Sequence, residues 1–119
     1  MITSSVKMIL VPKKREIVLE LIGLIIELTQ VQPGCISCCV YQDVKNRNII
    51  IYVEKWKRQV DLERHIRSPR YLNILSAIDI SSEPPEICFD TITDTYGLEF
   101  IKAIRSEKEN SDINDTETS

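Results

Sequence analysis

Eight residues, Ile49 to Trp56 (IIIYVEKW), limit what this chain can fold into more than any other stretch. β-Branched and aromatic side chains dominate them, which favours an extended strand. Side chains alternate along a strand, so Tyr52, Glu54 and Trp56 share one face while Ile49, Ile51 and Val53 share the other. Both faces therefore carry apolar groups. A sheet covered by helices on one side only should alternate more cleanly, so the second face also needs a cover. The residues that follow supply the first cover. A helical segment carries Leu62, His65 and Ile66. Ser68-Pro69, a cap residue followed by proline, starts a second helix with Tyr71, Leu72, Ile74, Leu75 and Ile78 as its apolar stripe. The chain's single Trp and single His thus fall at a strand end and on the helix after it.

The flanking sequence completes one domain. Thr3 to Val11 alternates as a first strand with Val6, Met8 and Leu10 on one face, and Pro12 ends it. Lys13 to Val31 predicts a long helix whose apolar residues occupy more than half of its circumference. A stripe of ~100° or somewhat more suffices to cover one sheet face, so this helix should touch a second partner, another helix or a subunit. Pro33-Gly34 is a turn. Ile36 to Gln42 predicts a second strand and Ile87 to Thr93 a fourth, with a short tail helix starting at Gly97. The element order β-α-β-β-α-β is the ferredoxin-like, α+β arrangement. The expected division is residues 1–106 as the domain and 107–119 as a disordered polar tail.

Charge and composition exclude several functions. The net charge is −3 and the pI about 5.2, so no global basic field attracts nucleic acid. Local clusters, Lys13-Lys14-Arg15 and Lys55-Lys57-Arg58 running on to Arg64, Arg67 and Arg70, read as solvated helix starts and faces, or as a site for an anionic substrate. No apolar run is long enough to span a membrane, and no signal peptide is visible. Four cysteines without a secretory signal point to the cytoplasm and to reduced thiols.

Among candidate site residues, His65 reads as a packed neutral imidazole or as a general base within reach of a substrate. Tyr41, Tyr52 and Tyr71 read as ordinary strand and helix aromatics, or as hydroxyls that orient a phenolic or quinol substrate. Cys35-x-x-Cys38 has a zinc-like spacing, but a regular strand points the two thiols to opposite faces, so buried free thiols are expected and no metal. No phosphate-binding glycine loop and no nucleophile elbow is present.

Several of these features, in this order, resemble the antibiotic biosynthesis monooxygenase family of dimeric α+β barrels. They are Pro33-Gly34-Cys35 before the second strand, Glu54-Lys55-Trp56 at the end of the third, Leu62-Glu63-Arg64-His65-Ile66-Arg67-Ser68, and Tyr71. The similarity runs from about Lys7 to Arg105. It implies a homodimer whose two sheets close face to face. It also implies cofactor-independent oxidation of a small aromatic or quinol-type compound in a pocket between sheet and helices. Trp56 and His65 would be the catalytic residues, and Tyr41, Tyr52 and Tyr71 would bind substrate. Trp56 can equally be a core anchor. Two departures matter. Some relatives carry a polar Asn in the first strand, where this chain has Val6, Met8, Ile9, Leu10 and Val11. Haem-degrading relatives place a catalytic His at the likely counterpart of Leu75. The rival expectation is a non-catalytic dimer of the same fold that binds a small molecule or regulates a partner.

Overall fold

The computed structural model describes residues 1–107. Its elements are β1 (Ile2–Ile9), α1 (Pro12–Thr29), β2 (Cys35–Gln42), β3 (Ile49–Trp56), α2 (Gln59–Arg67), α3 (Tyr71–Asp79) and β4 (Glu86–Thr91). A further helix, α4, runs over 98–107. The strands form one antiparallel sheet in the order β2-β3-β1-β4, the ferredoxin-like topology that the element order predicted. The polar tail expected from residue 107 falls almost wholly on 108–119, outside the described residues, and Glu107 itself is helical.

The helices lie on the face that the β3 alternation marks out. Ile50, Tyr52, Glu54 and Trp56 are all buried there, beside Ile2, Ser4, Val6 and Met8 of β1. From α1 come Val18, Ile22 and Ile25, spaced by four and three, and from α3 come Ile74 and Ala77. That spacing puts each set on one side of its helix. Pro12 opens α1 instead of merely ending β1, since the missing N–H costs nothing in a first turn. The apolar surplus of α1 is real. Ile17, Leu24 and Leu28 stay exposed, so α3 and the sheet use only part of its apolar arc.

The opposite sheet face carries none of α1, α2 and α3. Ile49, Ile51 and Val53 are half-buried there, and Tyr41, opposite Ile51 in the β2–β3 register, is 57% exposed.

One expectation is corrected. A regular strand would set Cys35 and Cys38 on opposite faces, but a bulge between Cys35 and Ser37 absorbs one residue. Cys35 then pairs with Trp56 and Cys38 with Glu54, so both thiols lie on the helix side. Among the described residues, nevertheless, no group of three or more His, Cys, Asp or Glu is placed to hold a metal ion. Burial raises the Cys35 thiol pKa and pushes that of Cys38 up to about 12.

The turn before β2 fixes α2 in place. Gly34 has φ +83°, and its missing Cβ leaves room for the Asp61 side chain against its Cα. Asp61 is buried and accepts from Arg58 at 3.2 Å and from Arg64 at 3.3 Å. The Lys57 N–H donates to the Gly34 carbonyl at 2.9 Å. Gly34→Ala should cost about 2–4 kcal/mol, combining left-handed strain with a clash at Asp61. Chemical denaturation measures it, and a loss within ~0.5 kcal/mol would contradict the clamp.

The Arg58 hydrogen bond, and then the charges of Arg58 and Arg64, hold the Asp61 carboxyl below its ordinary 3.8 against the opposing effect of burial. A lowered folded value stabilises the protein above that ordinary value and is lost as pH falls through the folded one. Wild type should therefore exceed Asp61→Asn in stability at pH 7, with the gap closing as pH drops below about 4. A gap independent of pH would contradict this.

Candidate functional site

Glu54 is the centre of the helix-covered face. It stands between Tyr52 and Trp56 on β3, with Cys38 of β2 and Ser4 of β1 as its cross-strand neighbours. Its side chain is 1% exposed. Three groups converge on the carboxylate. The Tyr52 hydroxyl donates to Oε2 at 2.5 Å, the Trp56 indole N–H donates to Oε1 at 3.0 Å, and His65 Nε2 lies 2.9 Å from Oε2. Cys38 extends the chain, its thiol donating to the Tyr52 oxygen at 3.2 Å. A carboxylate is acceptor-only with room for all these donors, so the arrangement assigns the Nε2 proton to the histidine. The remaining nitrogen, Nδ1, is buried and has no hydrogen-bond partner.

The ring of His65 is held from both sides. Trp56 lies along it with centroids 4.9 Å apart at 33°, and Tyr71 meets it edge-on at 5.4 Å and 89°. Such aromatic contacts are worth ~0.5–1.5 kcal/mol each beyond area burial. Burial first, and then the Glu54 charge, raise the pKa of both Tyr52 and Tyr71, which keeps these hydroxyls protonated.

Four of the five site residues singled out from sequence, Tyr52, Trp56, His65 and Tyr71, therefore lie together. Tyr41 does not. It points from the open face, on the other side of the sheet. Glu54 was missed as a site residue, although a signal was present: a charged residue between two aromatics on a strand face that helices should bury.

The space around these side chains is uneven. Between sheet and helices, beside Tyr52 and Ile74, only about 10 Å³ is open, which is one water at most. A larger cavity of about 50 Å³ lies at the α2–α3 turn, bounded by Trp56, Asp61, Arg64, His65, Ser68 and Arg70. Arg70 donates across its rim to Gln32 at 2.8 Å. Of the two, only the space at the turn has room for more than one water.

A four-stranded ferredoxin-like sheet with a Glu–His–Trp cluster under its second pair of helices defines the class. The family model for antibiotic biosynthesis monooxygenase matches residues 1–76, and the chain belongs to that family. An uncharacterised protein of Synechocystis sp. is 30% identical over 88 residues, which are 73% of this chain. The match spans 60% of that relative's length. Among solved structures, a conserved Methanosarcina mazei protein is 29% identical with a TM-score of 0.72, covering 77% of this chain and 92% of its own. A Deinococcus radiodurans protein, provisionally described as an antibiotic biosynthesis monooxygenase, reaches a TM-score of 0.75 at 15% identity, over 82% and 98% of the two chains. At that identity it attests the fold alone.

Glu54→Gln tests the cluster. The amide keeps one acceptor and sets an NH₂ where a donor already points, so a stability loss of about 1–3 kcal/mol is expected. A variant as stable as wild type would show that the three donors have other partners.

Proposed function

We propose that the protein is a cofactor-independent monooxygenase of a small aromatic or quinol-type compound, with His65 as general base and Trp56 lining the site. The unpartnered Nδ1 of a buried histidine, next to a cavity, carries this reading. Glu54 accepts from Nε2 and so leaves the Nδ1 lone pair free to take a proton. A substrate hydroxyl gives its proton to Nδ1, and the electron pair stays on oxygen. The resulting anion is rich enough in electrons to react with dioxygen. One oxygen atom enters the substrate, the other leaves as water, and the substrate supplies the electrons. Glu54, 2.9 Å from Nε2, holds the imidazole in the tautomer and orientation this step needs, as in other carboxylate–histidine pairs.

Burying a carboxylate is costly, and a well-packed apolar set of the same volume, replacing it together with its polar partners, could be as stable. Its retention here fits a site better than a core. Tyr52 positions Glu54 instead of meeting the substrate, and Tyr71 positions the imidazole.

A non-catalytic binding module is the second reading. The volume favours it, because about 50 Å³ is well below the ~300–1,000 Å³ of ordinary small-molecule sites. Catalysis requires the turn carrying Arg70 to open around the body of the substrate.

The reading includes a cytoplasmic homodimer closed over the open sheet face. Among the described residues no helix is long and apolar enough to cross a membrane. The half-buried Ile49, Ile51 and Val53 supply an apolar strip for a second sheet. Ile51→Asp should convert a dimer into monomer or aggregate in sedimentation velocity. A wild-type monomer at micromolar concentration would end the dimer proposal.

Oxygen uptake over a panel of quinols and polyphenols, with metals chelated, tests the activity. His65→Gln should lose about 10²–10⁴-fold in kcat while remaining folded. Uptake with no member of the panel would favour the binding module.

A further inference from the structure

The cavity at the α2–α3 turn has a chemical character that the proposed reaction does not itself require. Two guanidinium groups border it, from Arg64 and Arg70, against one carboxylate, Asp61. That carboxylate is already committed to Arg58 and Arg64. One cation therefore remains in excess at the rim. Arg70 holds only the amide oxygen of Gln32, an exposed neutral contact that a charged ligand can replace. Ser68 donates its hydroxyl to the His65 carbonyl at 2.7 Å, which keeps the end of α2 fixed beneath the cavity. The inner wall is His65, 4% exposed, with Nδ1 unpartnered. The volume of about 50 Å³ is about three to five times what one water needs, which suits a carboxylate group and not a whole aromatic ring.

We infer that this cavity is an oxyanion site, which takes the carboxylate of a small organic acid between Arg70, Arg64 and the protonated Nδ1 of His65. The inference rests on the reading of His65 given above and narrows it: the oxygen that gives its proton to Nδ1 is acidic, and it stays bound there as the anion paired with the resulting imidazolium. Proton and anion enter together. A neutral His65 offers only a lone pair at Nδ1, which repels an oxyanion, whereas the imidazolium donates there and stays paired with Glu54. The groups facing this imidazole are Glu54 from β3, Asp61 and Arg64 from its own helix, Arg70 from the turn and Tyr71 from α3. None of the others supplies a donor to Nδ1. Affinity for the anion should therefore rise as pH falls.

Trp56 is the sole tryptophan of the chain and borders the cavity, so its fluorescence reports occupancy without any turnover. Acetate and benzoate should change that emission saturably, and more tightly at pH 6 than at pH 8. Acetamide and benzamide should not. Arg70→Ala, whose side chain holds nothing in the core, should weaken binding about tenfold, as loss of one charge-assisted hydrogen bond does. Arg70→Lys, which keeps the charge but not the fork, should fall between the two. Equal response to acids and amides, no saturable response, or unchanged affinity in Arg70→Ala would each overturn the inference. The two readings separate cleanly. Carboxylate binding without oxygen uptake on any acidic substrate sinks the monooxygenase and keeps the oxyanion site. Uptake without carboxylate binding does the reverse.

Discussion

The structure turns on one buried carboxylate. Glu54 lies in the middle of the sheet face that the helices cover, where an ion loses nearly all of its hydration. It persists there because donors from β3 and from α2 meet it within 3.0 Å. That requirement does more than satisfy an ion. It fixes the Tyr52 and Trp56 rotamers on a single strand, and it ties α2 to the sheet through the ring of His65. Removing the carboxylate would leave an indole N–H, a phenol and an imidazole buried without partners, so the cluster stands or falls as a unit.

The rest of the fold serves this arrangement from both ends. At one end the Pro33-Gly34 turn lets Asp61 sit against the glycine, which sets where α2 starts and hence where His65 lies four residues later, one helical turn on. At the other, Ser68-Pro69 ends α2 and a turn through Arg70 leads into α3, so that Tyr71 at its start reaches the imidazole edge. The two arginines at the rim follow from the same geometry. Arg64 is held by Asp61, and Arg70 sits on the turn that the Ser-Pro break creates. The proposed base and the two arginines of the proposed anion site are thus delivered by α2 and the break after it, on a sheet that supplies the fixed charge.

Much of this could be read from the residues. The period of two in β3 assigned the correct face to Tyr52, Glu54 and Trp56, and the Ser-Pro break separated α2 from α3. Two things were harder. Parity along β2 depends on the bulge at Cys35–Ser37, and nothing in Cys-Ile-Ser announces an extra residue. That is why Cys35 and Cys38 were expected on opposite faces. Glu54 was legible as part of a strand but not as the centre of a site, since alternation says which way a side chain points and not which donors from a helix eleven residues later will reach it. Tyr41 shows the same limit in reverse. Its aromatic hydroxyl suited a site, while its place on the open face emerges only from pairing with Ile51.

Glu54 accepts from Nε2–H of His65 and leaves Nδ1 without a hydrogen-bond partner, free for the proposed base role. With one histidine in the chain, the ring nitrogens can be read without ambiguity by ¹⁵N NMR long-range correlation to the ring protons. In the neutral form, Nε2 should show the shift of a protonated nitrogen and Nδ1 that of an unprotonated one, and in Glu54→Gln the tautomer should reverse, because the amide NH₂ then donates to Nε2. A wild-type spectrum with the proton on Nδ1 would contradict the account.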